Sequence, residues 1–106
     1  MPTIAMVSKA PQPLDAYVVE TLMPDLIGHD RAASAFIVYV KFWHATGGPG
    51  RRGVALSLST LAVETGLSKS SVQAAVRRLR KRGYLGVKHT SPTAIPVYAV
   101  LAPWRR

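Results

Sequence analysis

The 106-residue chain contains no cysteine, which excludes disulfides and thiolate metal sites and leaves no redox couple to read. Carboxylates are scarce. Five Asp and Glu residues stand against fourteen Lys and Arg, and no two of the acids are placed for paired acid–base work. His29, His44 and His89 are scattered, with none at the i, i+4 spacing of a helical metal pair. Long apolar runs are also missing. Ala35 to Val40, six residues and unexceeded elsewhere, is well short of the roughly 20 residues that cross a bilayer, and Lys41 ends it. Pro2, Ser8, Lys9, Pro11 and Pro13 break up the first residues, so a targeting pattern is not expected there. Gly47-Gly-Pro-Gly50 lacks the Lys-Ser/Thr ending of a phosphate loop and reads as a hinge or loop. These absences together predict no enzyme, no metal, no cofactor and no membrane span.

What the chain does have is an uneven distribution of charge. Residues 1–50 hold Lys9, Arg31 and Lys41 against Asp15, Glu20, Asp25 and Asp30, a net of −1. Residues 51–106 hold eleven Lys and Arg against Glu64 alone, a net of +10. Such a field favours a polyanionic partner.

Within the basic half, two short helical patterns surround Gly66. Ser57 caps the first, with Thr60 in place of the Glu or Gln of a full capping box, and Leu61 and Ala62 face a core. Gly66 supplies a left-handed turn, Leu67 is a buried turn residue and Ser68 caps a second helix starting at about Lys69. Gly83 ends that helix, with Arg80, Lys81 and Arg82 at the negative end of its dipole. A step of about 100° per residue gathers Val72, Ala75, Val76 and Leu79 into one apolar stripe. It turns Ser70, Ala74, Arg77 and Lys81 outward, flanked by Gln73 and Arg78. Small residues followed by cations suit a helix that meets base edges first and phosphates later.

The pattern Ser-x-x-x-Leu-Ala-x-x-x-Gly-Leu-Ser-x-x-x-Val-x-x-x-Val-x-x-Leu-x-x-x-Gly-Tyr-Leu, from Ser57 to Leu85, resembles bacterial winged-helix DNA-binding domains of the MarR and GntR type. The resemblance implies a mainly α fold with a small β-hairpin wing, a winged helix-turn-helix. It also implies double-stranded DNA as partner, transcriptional regulation, a cytoplasmic protein that joins the nucleoid when bound, and a homodimer. Replication or partition of a plasmid or phage is a second reading, and a winged helix serving protein interaction or RNA binding is a third. The candidate DNA contacts on the second helix are Ser68, Lys69, Ser70, Ser71, Gln73, Ala74, Arg77, Arg78 and Lys81. Lys88, His89 and Thr90 are the wing's candidates, although the hydroxyl-rich tip is less basic than a wing that tracks DNA.

The rest of the chain is divided into residues 1–28, an arm and a short helix with candidate dimerisation surface, and residues 29–106, the winged helix. Three prolines in residues 1–13 suggest an extended arm. Asp15 is expected to cap a helix ending near Pro24, with a strand left open by the β-branched pair Val18-Val19. Asp30 is expected to cap a longer one running to about Thr46. Ala33, Phe36, Ile37, Val40 and Trp43 or His44 form its buried face, and Tyr39 and Phe42 lie off that stripe. The Gly47–Gly53 loop carries Arg51 and Arg52, either solvated or set for phosphate. Val54 to Leu56 reads as a short strand pairing with the wing. In the wing, Leu85 and Val87 face one side, as do Ile95, Val97, Ala99 and Leu101, and Pro96 suggests an edge strand. Trp104 is either an anchor on the protein's own core or an interface residue.

Overall fold

Two serines, Ser57 and Ser68, each start a helix by the same device. In the computed structural model, which describes residues 11–105, the Ser57 hydroxyl accepts the Thr60 N–H and the Ser68 hydroxyl accepts the Ser71 N–H, both at 3.1 Å. Each bond satisfies one of the amide donors that a helix start leaves free. The elements are two π-helical segments, Val18–Leu22 and Asp25–His29, then α1 (Ala33–Thr46), β1 (Val54–Ala55), α2 (Leu58–Thr65), α3 (Lys69–Lys81), β2 (Leu85–Lys88) and β3 (Val97–Val100). Gly66, at φ 79°, caps α2 in the left-handed region, and Gly83 follows α3 at φ 81°. The helix-turn-helix therefore stands where caps and glycines place it.

Three antiparallel strands in the order β1-β3-β2 complete a mainly helical winged helix. Val54 pairs with Tyr98 and Ala55 with Val97, so the short strand before α2 does join the wing. The core lies between the π-helical segments, α1, α3 and the sheet. Val18, Leu22 and Leu26 bury one side of the N-terminal stretch, and Val72, Ala75, Val76 and Leu79 bury the expected stripe of α3. Leu61 and Leu85 are also buried, while Leu67, expected to be buried, is only partly so and packs against the core from the turn. Truncating a fully buried leucine such as Leu61 or Leu79 costs about 2–5 kcal/mol.

Several expectations need correction. Residues 16–29 are helical throughout, and Pro24 interrupts nothing. Proline lacks an N–H and crowds the carbonyl four residues back. Wider turns on both sides shift the bonding to i−5, with Met23 N–H on Val18 O and Asp30 N–H on Asp25 O. Asp15 supplies no side-chain cap, because its carboxylate takes Trp104 and Arg105 instead. Asp30 does not cap α1 either. Arg31 turns through φ 53°, the helix begins at Ala33, and the Asp30 carboxylate is held by Arg82.

The buried face of α1 has a different phase from the one expected. Ala35, Val38, Tyr39, Phe42 and Trp43 are buried, Phe36 and Val40 are intermediate, and Ala33, Ile37 and His44 face outward. Tyr39 and Phe42 are thus central. In β3 the inward residues are Tyr98 and Val100, opposite Val87 and Leu85, while Ile95 and Leu101 are exposed. That strand is also the middle one, and Pro96 precedes its ladder without forcing an edge.

The two ends of the described chain are fastened together. Gln12 N–H donates to Gly47 O, its side-chain amide donates to Pro49 O, and its backbone carbonyl accepts from the Trp43 indole. Arg105 donates to Gln12 and to both oxygens of Asp15. Trp104 stacks on Tyr17 with ring centroids 4.5 Å apart and packs against the core, which makes it an internal anchor. The part of the expected arm at residues 1–10, and Arg106, lie outside the described residues.

Candidate nucleic-acid interface

The outward side of α3 begins at its cap. Ser68 contacts the hydroxyls of both Ser70 and Ser71, at 3.2 and 2.9 Å, while it accepts the Ser71 amide. Ser68 and Ser71 are therefore occupied with starting the helix. Lys69, Ser70, Gln73, Ala74, Arg77, Arg78 and Lys81 are all exposed, and Ser71 is half-buried. The apolar stripe holds the opposite side of α3 in the core, so these side chains present a fixed face. Ala74, Arg77, Arg78 and Lys81 together line a shallow open depression of about 340 Å³. Three of its four lining residues are cationic and the fourth is an alanine.

The cations of α3 differ in what surrounds them. Arg77, Lys81 and Lys69 form no ion pair with another described residue. Arg80 is exposed, and its charge reaches Tyr98 in the sheet. Burial pushes the Tyr98 hydroxyl above its ordinary pKa, and the Arg80 charge opposes that shift. Arg82 is held from two sides, with Nη2 2.6 Å from Asp25 Oδ2 and Nη1 on Asp30 Oδ2. The hydrogen bond to Asp25 is the largest of the influences that hold this guanidinium above its usual pKa. Arg78 sits between these extremes, its Nη1 3.6 Å from Asp30 Oδ2.

Lys88, His89 and Thr90 are exposed at the end of β2 and the start of the wing turn. Thr90 through Thr93 are exposed as well, and Ala94 N–H closes the tip on Ser91 O. No hydrogen bond joins the three wing candidates to the α3 set among the described residues. The structure thus gathers the later α3 residues around one depression, and the exposed wing residues do not line it. Arg51, half-buried, and Arg52, exposed, line another depression with His44 and Gly47, of about 220 Å³.

Sequence reasoning missed the carboxylates that stand behind this face. Asp25 and Asp30 are 57 and 52 residues from Arg82 along the chain, and no helical or strand period connects them. The available signal was compositional, an acidic first half facing a basic second half. Among the described residues no three His, Asp or Glu groups gather in a way that could hold a metal ion, and no helix is long and apolar enough to cross a membrane.

Residues 46–93, from the last residue of α1 to the wing tip, match the family model described as MarR family. Neither the curated proteins nor the solved structures contain a match to this chain.

Proposed function

From the MarR-type winged helix that this chain carries, a DNA-binding domain of transcription regulators, we propose that the protein binds specific double-stranded DNA sites through α3 and regulates transcription as a cytoplasmic homodimer. The observation that carries this reading is the outward face of α3. A serine cap and an amide come first, and the unpaired cations Arg77 and Lys81 follow about one to two turns later.

A helix docked by its N-terminal turns in the major groove sets Ser70, Gln73 and Ala74 against base edges. Gln73 has the donor and acceptor pair that reads adenine. Lys81 then meets the phosphate backbone, where contacts position the protein and carry no sequence information. Arg77 lies at the boundary of the two zones. Lys88, His89 and Thr90 extend the same contact from the wing, and Ser68, Lys69 and Ser71 flank the helix start.

Affinity measured by fluorescence anisotropy against a selected site and a random duplex tests the assignment. Gln73→Ala is expected to lose about 1–3 kcal/mol on the best site and little on random DNA. Lys81→Ala is expected to weaken both alike and to lower the salt slope by about one. Equal losses on both duplexes for Gln73→Ala, or an unchanged slope for Lys81→Ala, would reject this docking face. An RNA duplex as competitor separates this reading from an RNA-binding module.

The homodimer reading draws on exposed apolar residues in the N-terminal stretch and α1. Val19, Ile27 and Ile37 are 46%, 41% and 42% exposed, as suits residues awaiting a partner subunit. Sedimentation at tens of micromolar, with and without DNA, should report a dimer. A monomer in both would remove the claim.

A further inference from the structure

One carboxylate oxygen serves two arginines. Asp30 Oδ2 accepts from Arg82 Nη1 and stands 3.6 Å from Arg78 Nη1. Its side chain is only 14% exposed, and it sits between the N-terminal helical stretch and the last turns of α3. Arg82 is fastened a second time by Asp25, at 2.6 Å. The Asp30 charge is therefore spent mainly on Arg82. Arg78 lies beyond hydrogen-bond reach, is 44% exposed, and lines the depression it shares with Ala74, Arg77 and Lys81.

We infer that Arg78 exchanges partners when DNA docks, leaving Asp30 for a backbone phosphate, and that Asp30 is the positioning residue that holds Arg78 at the edge of the interface and restrains affinity. This rests on the reading that α3 faces duplex DNA. At 3.6 Å, with Arg78 exposed and the Asp30 charge already engaged by Arg82, this pair is weak, so a phosphate displaces it readily. Asp30 acts on DNA through Arg78 and without touching DNA itself. Asp25 differs, because it pairs with Arg82 and not with Arg78.

The test is a cycle of variants on the full chain, read as affinity for a random duplex across a salt titration, with thermal melting of each protein. Asp30→Asn keeps an oxygen for Arg82 and is expected to bind about two- to five-fold tighter, the range that corresponds to a weak ion pair. Asp25→Asn removes the same charge from the other arm of Arg82 and should lower the melting temperature without that gain. Arg78→Ala should weaken binding and reduce the salt slope by about one. In the Arg78→Ala background, Asp30→Asn should gain nothing, the non-additivity expected of residues in contact.

A gain from Asp30→Asn that survives in the Arg78→Ala background overturns the inference, since Asp30 would then act only through overall charge. Arg78→Ala with an unchanged salt slope, beside Lys81→Ala with a reduced one, overturns it too. That second comparison does not need a folded Asp30→Asn protein. Failure of the unsubstituted protein to bind duplex DNA at all overturns the docking reading and the inference together.

Discussion

A single hydroxyl at Ser68 begins the helix on which the proposed interface depends. It accepts the Ser71 amide and engages the Ser70 and Ser71 hydroxyls, all within a solvent-exposed turn. Removing it leaves an amide at the start of α3 for water alone to satisfy. Ser68→Ala is expected to destabilise the fold by about 1 kcal/mol, measured as a shift in urea midpoint at unchanged slope. Ser70 has a lesser share in the cap, so Ser70→Ala should cost less stability than Ser68→Ala. Among single residues the outward positions of α3 were legible, because helical geometry alone turns Gln73, Ala74 and Arg77 away from Val72, Val76 and Leu79. The tie from Asp30 to Arg78 was not, since nothing local in either segment records a partner 48 positions away.

At the level of elements, legibility followed the contrast between faces. Helix α3 alternates cations with aliphatic residues, so only one rotation buries the apolar stripe. Helix α1 reads Ala-Ser-Ala-Phe-Ile-Val-Tyr-Val-Lys-Phe-Trp, and almost any rotation would bury apolar surface. Contacts with the π-helical segments, α3 and the sheet then set its phase. Strand β3 posed the same problem. Ile95, Val97, Ala99 and Leu101 match its inward residues in apolar character, and only the pairing of Tyr98 with Val87 and Val54 settles which side faces the core. The observed phase of α1 makes a direct prediction. Phe42→Ala should cost about 3–5 kcal/mol, while Ile37→Ala should cost under about 1 kcal/mol in the isolated protomer. Chemical denaturation of the two variants measures the difference, and the reverse ranking would restore the rotation expected from sequence.

Across the whole molecule, the charge asymmetry of the sequence becomes internal complementarity. Asp15 from the acidic half binds Arg105 of the basic half, Asp25 and Asp30 both bind Arg82 with Arg78 close by, and Lys41 pairs with Glu64. What is left over on α3 is a smaller, localised cationic face. Buried phenols add a second property of the whole fold. Burial pushes the Tyr39, Tyr84 and Tyr98 hydroxyls above their ordinary pKa, and Tyr39 also donates to Leu101 O at 2.9 Å. Unfolded tyrosines ionise near about pH 10. Below that pH the phenols are neutral in both states and their stabilisation is complete. Above it the unfolded chain sheds protons that the folded chain retains, so stability should fall with rising pH. Melting temperatures from pH 8 to 11 should stay level and then drop. Tyr39→Phe should flatten the drop.

The clasp between Asp15 and the pair Trp104 and Arg105 joins residues 89 and 90 positions apart. Synthesis runs from the N-terminus, so Asp15 and Tyr17 emerge from the ribosome long before the groups that fasten them. Until then the helical stretch of residues 16–29 has neither its stacked indole nor its guanidinium. The clasp therefore cannot close until residues 104 and 105 have been made, and closing it brings together residues 89 and 90 positions apart, the kind of non-local contact that slows folding.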